Sequence, residues 1–302
     1  MSLASSAFAN SKTSSASLSP DTHWLETELT KMGLSKGFIK EALEIYEPEN
    51  FDKVLTLNLL GFLRPPGEHM DRVTPEAVRE TAKFVKENQE AFDAAKDRYK
   101  VPANVIAALL WIETRHGSDT GDFHTLSVYL HLLQTNRAKN RAELTRLAIE
   151  KNKKERNYTA KALRTLMAER TKKKYQWAKE QLIALAAIRK EKNLDLKELR
   201  GSYAGAFGLP QFIPSSYRAY AKSLEPNDTP NLDDNDDAIV SVAYYLSKSG
   251  WKNRKSTAKV TALMKYNNSR DYADAILEIS KRATRELQNP HRSLSSTTDN
   301  NR

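Results

Sequence analysis

The chain has 302 residues, 39% of them hydrophobic and 28% charged, which suits one large domain or two modest ones around a sizeable core. It contains no cysteine, so disulfides and thiolate–metal sites are excluded, and no apolar run reaches the roughly 18–20 residues of a membrane span. The formal net charge of +10 indicates an anionic partner, such as nucleic acid, anionic lipid or an acidic cell-wall polymer.

The two ends of the chain are polar. Residues 1–21 are rich in Ser and Ala, and Ala7-Phe8-Ala9 is similar to the end of a secretory signal, although the basic and apolar regions of a signal are missing. This leader is either the remnant of an export signal or a disordered polar segment. Residues 289–302 form a second polar tail without a core-forming pattern.

Between the ends, over residues 22–288, the hydrophobic pattern is helical almost throughout. Thr74 and Pro75 are typical of an N-cap and a first helical position, and they predict a helix that extends to about residue 99. No alternating strands and no internal repeat are evident, so the chain is predicted to be all-α. The other predicted helices cover residues 22–32, 36–46, 102–116, 126–133, 177–188, 236–248, 256–264 and 270–287.

Glu113 is the candidate catalytic residue. It follows Ile106 by seven residues and Leu109 by four, spacings that share one helix face, and Gly117 ends the helix one turn later. A carboxyl group on this apolar face loses water, and the helix C-terminus adds partial negative charge nearby. Both effects favour the protonated form near neutral pH, which a general acid needs, whereas a solvated or ion-paired glutamate is the ordinary alternative.

Positive charge is concentrated in the middle of the chain. Residues 135–174 hold 14 Lys or Arg and 4 Glu, so this stretch alone carries the whole net charge of +10. Two amphipathic pieces, around Leu144 and around Leu163, flank a polar run at residues 151–157. The pattern predicts a basic helical hairpin.

A segment rich in Gly and Pro interrupts the helices at residues 201–217. Its three glycines and two prolines indicate non-helical backbone that comes close to another group. Interleaved aromatic and amide side chains suit a sugar ring, which has an apolar face and a polar rim, whereas the alternative is a structural loop that closes a helical core. These side chains are Tyr203, Phe207, Gln211, Phe212 and Tyr217.

Four motifs, in this order, resemble the lytic transglycosylase B family of bacterial cell-wall enzymes, which belongs to the lysozyme-like superfamily. The resemblance covers about residues 74–282, and the shared order makes it more specific than any single motif. The motifs are Glu113-Thr114-Arg115-His116-Gly117, then Gly201-Ser202-Tyr203-Ala204-Gly205-Ala206 with Pro210-Gln211-Phe212-Ile213-Pro214-Ser215-Ser216-Tyr217, then Asp237-Ala238-Ile239 with Ser241-Val242-Ala243-Tyr244-Tyr245-Leu246 and Gly250-Trp251, and Tyr266-Asn267-Asn268-Ser269.

The resemblance implies a lysozyme-like helical domain that cleaves the β-1,4 bond between N-acetylmuramic acid and N-acetylglucosamine in peptidoglycan. By position, Glu113 matches the single catalytic acid/base of the family. It would protonate the glycosidic oxygen and then take the proton of the muramyl 6-hydroxyl, which leaves a 1,6-anhydromuramyl end. The resemblance also implies substrate-binding or supporting roles for Ser202, Gln211, Tyr217, Tyr266 and Asn267.

The motif at residues 201–217 contains no second carboxylate, although ordinary glycosidases need two. The internal 6-hydroxyl nucleophile would remove that need. A hydrolytic muramidase of the same fold is the nearest alternative, with Asp119, Asp122 and Glu198 as candidate second acids. A non-catalytic glycan-binding protein is another alternative, although such a module has no reason to bury a lone acid.

The sequence departs from the family in two places. The loop at residues 223–234 lacks the opening Asp and the turn glycine of the family's EF-hand-like site, so no cofactor and no bound metal is predicted, with calcium as the alternative. Residues 134–172 form a basic insertion without a family counterpart, and Lys173 and Lys174 fall where the family has paired arginines that contact substrate. The insertion is either a grip for peptide-stem carboxylates and anionic wall polymers or a solvated decoration.

Peptidoglycan strands are the expected partner. The expected location is the periplasm or cell envelope of a bacterium, with the exported protein acting as a monomer and membrane attachment left open. Nucleic acid is not expected as a partner, because aromatic residues are sparse in the basic segment and no nucleic-acid motif is evident.

Overall fold

A computed structural model describes residues 17–63, 68–155, 157–225 and 228–288. Within these ranges almost all of the regular secondary structure is helical, which confirms the predicted all-α class. The amino-terminal helices are α1 (Thr22–Lys31), α2 (Lys36–Glu44) and α3 (Phe51–Leu60). The following helices are α4 (Pro75–Glu87), α5 (Gln89–Tyr99), α6 (Ala103–Thr114), α7 (Thr125–Leu133), α8 (Ala138–Glu155), α9 (Ala160–Lys192), α10 (Pro214–Tyr220), α11 (Asn235–Lys248), α12 (Ser256–Tyr266) and α13 (Arg270–Gln288).

Short elements join these helices. Turns of 3-10 helix cover Gly61–Leu63, His69–Arg72 and Gln134–Asn136. Strands β1 (Phe123–His124) and β2 (Arg200–Gly201) pair antiparallel and bring the segment after α6 against the start of the Gly/Pro-rich loop. None of the helices in the described ranges is long and apolar enough to cross a membrane.

The first core surrounds α6, whose residues Ile106, Leu109 and Leu110 are all 0% exposed. Helices α4, α5, α11, α12 and α13 supply its other walls, so the carboxyl end of α6 emerges from the middle of a helical bundle. A residue at that end is therefore surrounded by protein on several sides.

The second core joins the amino-terminal helices to the basic hairpin. Leu144 and Ala148 of α8, and Leu163 and Met167 of α9, are 0% exposed and pack with the residues of α1, α2, α3 and α7. The predicted hairpin is present, but it is not a detached decoration, because its apolar face is shared with this core. Most charged residues in the described part of the hairpin are exposed, whereas Glu143 is 4% exposed and Arg170 donates to the carbonyl of Leu59.

The leader assignment needs correction at its end. Residues 17–21 are part of the folded chain, since Leu18 is buried in the second core and Asp21 caps α1 by accepting from the Trp24 backbone. Asp21 also pairs with Arg137, which ties the chain start to the base of the hairpin. The rest of the predicted leader and the predicted tail, residues 1–16 and 289–302, lie outside the described residues.

Two helix predictions were also wrong. The helix that begins at Pro75 ends at Glu87, because Asn88 adopts φ −119° and ψ 38° and a new helix starts at Gln89. The second piece of the hairpin and the apolar helix predicted at residues 177–188 form one continuous helix, α9. The first half of α9 therefore belongs to the basic hairpin, and its second half contributes residues to the core.

Candidate active site

Glu113 lies in the last turn of α6. The next residues, Arg115 and His116, have left-handed backbone with φ of 50° and 55°, and this turn ends the helix. The Oε1 atom of Glu113 accepts a hydrogen bond of 2.5 Å from the hydroxyl of Tyr272 on α13. The carboxyl group is thus held between two helices of the first core.

Burial raises the pKa of Glu113 from 4.5 to about 7. The hydrogen bond from Tyr272 and the positive charge of Arg72 both lower this pKa, but the loss of water outweighs them. The direction is the one that the apolar helix face predicts. With this pKa the carboxyl group populates both protonation states near neutral pH, so it can donate a proton in one step and accept one in the next.

Three tyrosines, from α11, α12 and α13, pack together beside Glu113. The rings of Tyr266 and Tyr272 stack with centroids 6.4 Å apart, and the ring of Tyr245 meets that of Tyr266 edge-on at 4.7 Å. The hydroxyl of Tyr266 donates to the carbonyl of Pro210, which joins α12 to the Gly/Pro-rich loop. Tyr266 therefore lies beside the hydrogen-bond partner of Glu113, while its contact with a sugar stays a prediction.

A cavity of 270 Å³ opens beside Glu113. Of the three candidate second acids, Asp119 lines this cavity, whereas Glu198 lines a separate cavity of 230 Å³ and Asp122 lies near Arg200. The cavity beside Glu113 is lined by Asp71, Arg72, Thr74, Glu76, Trp111, Ile112, Glu113, Thr114, Arg115 and Asp119.

The Gly/Pro-rich segment forms a non-helical loop between β2 and α10. The Ser202 hydroxyl lies 3.3 Å from the backbone nitrogen and 3.4 Å from the carbonyl oxygen of Ala206, and these hydrogen bonds close a tight turn. The amide nitrogen of Gln211 donates to the carbonyls of Thr120 and Gly208 at 3.0 and 3.1 Å. Both side chains therefore support the loop, and a contact of Ser202 or Gln211 with a sugar stays a prediction.

Tyr217 lines the 230 Å³ cavity that also holds Glu198, and not the cavity beside Glu113, so its contact with substrate stays a prediction. Its side chain is 1% exposed, packs against Phe207 and donates a 2.7 Å hydrogen bond to the carbonyl of Pro230. Asn267 is exposed and ends α12 in extended backbone, directly after Tyr266. Its support of the Tyr266 loop stays a prediction.

A second cavity, of 280 Å³, lies on α9 away from Glu113. The ammonium group of Lys174 lies 4.1 Å from the centre of the Trp177 ring and donates to the Asn58 side chain at 3.0 Å. Burial, assisted by the charge of Arg170, lowers the pKa of Lys174 from 10.5 to about 8. Asn58 also donates to the carbonyl of Tyr203, so this cavity adjoins the Gly/Pro-rich loop. The residues that line it are Arg170, Lys173, Lys174 and Trp177.

The loop before α11 is closed by hydrogen bonds to Asp237 and not by carboxylates arranged around a cation. Asp237 accepts from the Ser223 hydroxyl at 2.9 Å and from the backbone nitrogens of Leu224 and Asn231 at 2.8 and 2.7 Å. Asp234 caps α11. In the described part of this loop Asp234 and Asp237 are therefore engaged by N–H and O–H donors, and the absence of bound calcium stays a prediction.

Sequence reasoning missed two residues that contact the acid or its helix. Tyr272 falls on the apolar stripe of α13, where it resembles a core residue, although a buried phenol hydroxyl requires a partner. Arg72 belongs to a 3-10 turn and donates at 2.7 Å to the carbonyl of Ile112, a contact for which no periodic pattern exists.

Known proteins share this chain's sequence pattern and architecture. The sequence profile of the family described as transglycosylase SLT domain matches residues 19–262. Membrane-bound lytic murein transglycosylase B of Escherichia coli (strain K12) is 29% identical over 179 residues, which is 59% of this chain and 40% of that protein. The match therefore spans less than half the length of that curated relative.

Two crystal structures from Pseudomonas aeruginosa show the same fold. Soluble lytic transglycosylase SltB1 superposes with a TM-score of 0.66 at 19% identity, over 89% of this chain and all of the other. SltB3, in complex with NAG-anhNAM-pentapeptide, superposes with a TM-score of 0.62 at 16% identity, over 87% of this chain and 78% of the other.

Proposed function

We propose that this chain, which belongs to the transglycosylase SLT domain family, is a lytic transglycosylase of peptidoglycan with Glu113 as its single acid/base. The observation that carries this proposal is one half-buried carboxyl group at the wall of a cavity, where loss of water raises its pKa to about 7. A group in this state suits proton transfer in both directions at neutral pH.

The hydrogen bond from Tyr272 gives the two oxygens of Glu113 different roles. Because its hydroxyl donates to Oε1, the protonated Oε2 is the oxygen that delivers a proton to the glycosidic oxygen as the bond from that oxygen to the muramyl anomeric carbon breaks. The resulting carboxylate is stabilised by the Tyr272 hydrogen bond and the Arg72 charge. It then takes the proton of the muramyl 6-hydroxyl as O6 bonds to the anomeric carbon, and Glu113 returns to its starting form.

The proposed reaction requires no water and no cofactor, and its product is a 1,6-anhydromuramyl end. The complex of SltB3 with an anhNAM ligand supports a related product here, as a proposal by fold similarity. Calcium is not part of the proposed reaction, because the Asp237 carboxylate is engaged by the donors of its own loop.

Hydrolysis is the second candidate, and the position of Asp119 in the same cavity is the observation that favours it. An inverting or retaining hydrolase needs a second carboxylate near the bond, and Asp119 is the candidate acid best placed for that role. In that case water would replace the 6-hydroxyl.

Mass spectrometry of the fragments released from purified peptidoglycan separates the two reactions. The anhydro product is lighter than the hydrolysed one by one water. We expect anhydro fragments from the wild type, their loss in Glu113→Gln, and an unchanged product type in Asp119→Asn. Reducing muramic acid ends that disappear in Asp119→Asn would establish the hydrolase instead, and a folded wild type that releases nothing would refute both.

We place this activity in the bacterial cell envelope, where peptidoglycan lies. The basic hairpin is the proposed contact with anionic groups of the wall, namely peptide-stem carboxylates or acidic polymers. Arg146 forms ion pairs at 2.7 Å with two of its acids, Glu143 and Glu150, and the remaining cations of the hairpin outnumber its acids. The exposed cations of the hairpin outside this ion pair include Lys139, Arg141, Lys153, Lys161, Arg164 and Lys172.

Charge reversal tests the hairpin without touching the acid. Lys153→Glu with Lys161→Glu and Arg164→Glu should weaken binding to isolated sacculi and flatten its salt dependence, because fewer counterions are released. The matched control is charge reversal, by substitution with Glu, of Lys252, Lys255 and Lys259, which lie outside the hairpin. Lys252 and Lys255 are exposed. An equal loss of sacculus binding in both triple variants would show that only net charge matters. Unchanged binding in the hairpin variant would refute the proposed role of the hairpin.

A further inference from the structure

The 3-10 turn His69–Arg72 contacts the helix that carries Glu113. At the end of α6 the backbone N–H groups of Arg115 and His116 donate to Trp111 and Leu110, so the carbonyl of Ile112 is left without a helical partner. The Arg72 guanidinium donates to that carbonyl at 2.7 Å. A cation at a helix C-terminus is favourable, and this one fixes the residue immediately before the acid.

The other end of the same turn contacts the helix that carries Tyr272. The backbone N–H of His69 donates to the carboxylate of Asp271, and Nδ1 of His69 lies 3.3 Å from the same oxygen. The imidazole meets the Tyr272 ring edge-on, with centroids 5.4 Å apart. His69 therefore restrains the phenol whose hydroxyl holds Oε1 of Glu113.

We propose that the turn His69–Arg72 is a bracket that positions the catalytic acid, with Arg72 fixing the backbone of α6 next to Glu113 and His69 fixing the ring of Tyr272. Both are positioning residues that act through another group. Because the turn reaches α6 and α13 at once, it sets the distance between the two halves of the Tyr272–Glu113 pair. This inference rests on the proposed function of Glu113.

The bracket has an electrostatic consequence that a purely structural contact lacks. The positive charge of Arg72 lowers the pKa of Glu113, so removing that charge raises it. The reaction starts from the protonated acid, and its rate falls as pH rises through this pKa. Loss of the charge should therefore move the alkaline limb of the rate profile to higher pH.

The test compares Arg72→Met and Arg72→Lys on defined glycan fragments, with kcat and KM measured across pH. We expect Arg72→Met to lose about tenfold to a hundredfold in kcat, as misplaced catalytic groups do, and to shift the alkaline limb upward. Arg72→Lys keeps the charge, so the alkaline limb of its rate profile should stay at the wild-type pH while kcat falls. The matched control is Arg79→Met, since Arg79 is an exposed arginine on the adjacent α4.

The second arm is His69→Ala, which should lower kcat with little change in KM because the Tyr272 ring loses its support. Arg72→Met with the wild-type kcat and an unmoved limb would overturn the role of Arg72, and wild-type kcat in His69→Ala would overturn that of His69. If Arg72→Met fails to fold, Arg72→Lys and His69→Ala still decide. An inactive wild type would refute the proposed function, whereas an active wild type with unaffected variants would refute only the bracket.

Discussion

The Tyr272 hydroxyl lies 2.5 Å from Oε1 of Glu113, although the two residues are 159 positions apart in the chain. One belongs to α13 and the other to α6, so the geometry of the acid depends on how these two helices pack. The hydrogen bond fixes one oxygen of the carboxyl group and leaves the other for proton transfer. It also stabilises the charged form of Glu113 against the effect of burial.

Replacing Tyr272 by Phe should make Glu113 a weaker acid. The lost hydrogen bond favoured the carboxylate, so the pKa of Glu113 should rise above its present value of about 7. We expect kcat to fall about tenfold or more, as for other positioned groups in proton transfer, and the alkaline limb of the rate profile to move to higher pH. The measurement is kcat against pH on glycan fragments.

Tyr217→Phe is the matched control for Tyr272→Phe. It also removes one hydroxyl from a buried tyrosine, and its lost partner is the carbonyl of Pro230. Both variants should lose about 1 kcal/mol of stability, but only Tyr272→Phe should change the pH profile. A limb that moves equally in both, or in neither, would contradict the assigned role of Tyr272.

The buried acid should destabilise the fold at alkaline pH. The pKa of Glu113 is about 7 in the folded chain and 4.5 as the ordinary value, so the folded state binds its proton more tightly than the unfolded state. The associated stability is present in full below pH 4.5 and is lost as pH rises through 7. Over this window the loss amounts to about 3 kcal/mol.

Glu113→Gln therefore should stabilise the protein while it abolishes activity. The advantage over the wild type should be small near pH 4.5 and should grow to about 3 kcal/mol by pH 8, because glutamine has no proton to lose. Denaturant unfolding at several pH values measures it, with the exposed Glu26→Gln as control. A difference that does not change with pH would show that Glu113 is not a desolvated acid.

The local sequence pattern predicted the helix of Glu113 and the direction of its pKa shift. Its spacing to Ile106 and Leu109 reports burial, and burial alone determines that direction. The partners of Glu113 were not predictable in this way. Tyr272 resembles any other residue of an apolar helix face, and Arg72 acts through a turn that has no period, so both contacts arise only from tertiary packing.

The features that the sequence did not reveal have a common physical origin. Tyr217 lies inside a motif shared with sugar-binding loops, but composition does not show that its hydroxyl is bonded to the carbonyl of Pro230. The break at Asn88 was hidden because helical residues flank it on both sides. The amphipathic pattern around Leu144 and Leu163 indicated an apolar face of the basic hairpin, but it does not show that this face meets the core of the amino-terminal helices.

Acid should unfold the protein partly through His131. Burial lowers the pKa of this histidine from 6.5 to about 4, and it packs edge-on against Tyr46 and Phe51. Its folded pKa lies below its unfolded value, so its contribution to stability is present above pH 6.5 and is lost as pH falls through 4. The loss amounts to about 3 kcal/mol over that window.

His131→Phe removes this titration and should flatten the decline of stability between pH 6.5 and 4. The variant also loses the hydrogen bond between Nε2 and the Glu47 carbonyl, so it should start about 1 kcal/mol less stable at pH 7. The comparison is the free energy of unfolding against pH, with the exposed His23→Phe as control. Parallel curves for wild type and His131→Phe would contradict the prediction.

Gly205→Ala should disrupt the Gly/Pro-rich loop beside the site. Gly205 has φ +81°, and a Cβ atom there would lie 2.5 Å from Cζ of Tyr129, whose buried hydroxyl donates to the Gly205 carbonyl.

Gly250 is the matched control, because its φ is +94° and a Cβ atom would meet nothing within 4 Å. Gly250→Ala should cost about 1–2 kcal/mol for the left-handed backbone alone. Gly205→Ala should cost about 1–3 kcal/mol more from the clash and should also lower kcat, since Pro210 of the same loop accepts the Tyr266 hydrogen bond. Equal costs at the two glycines would show that the loop yields freely and does not position the site.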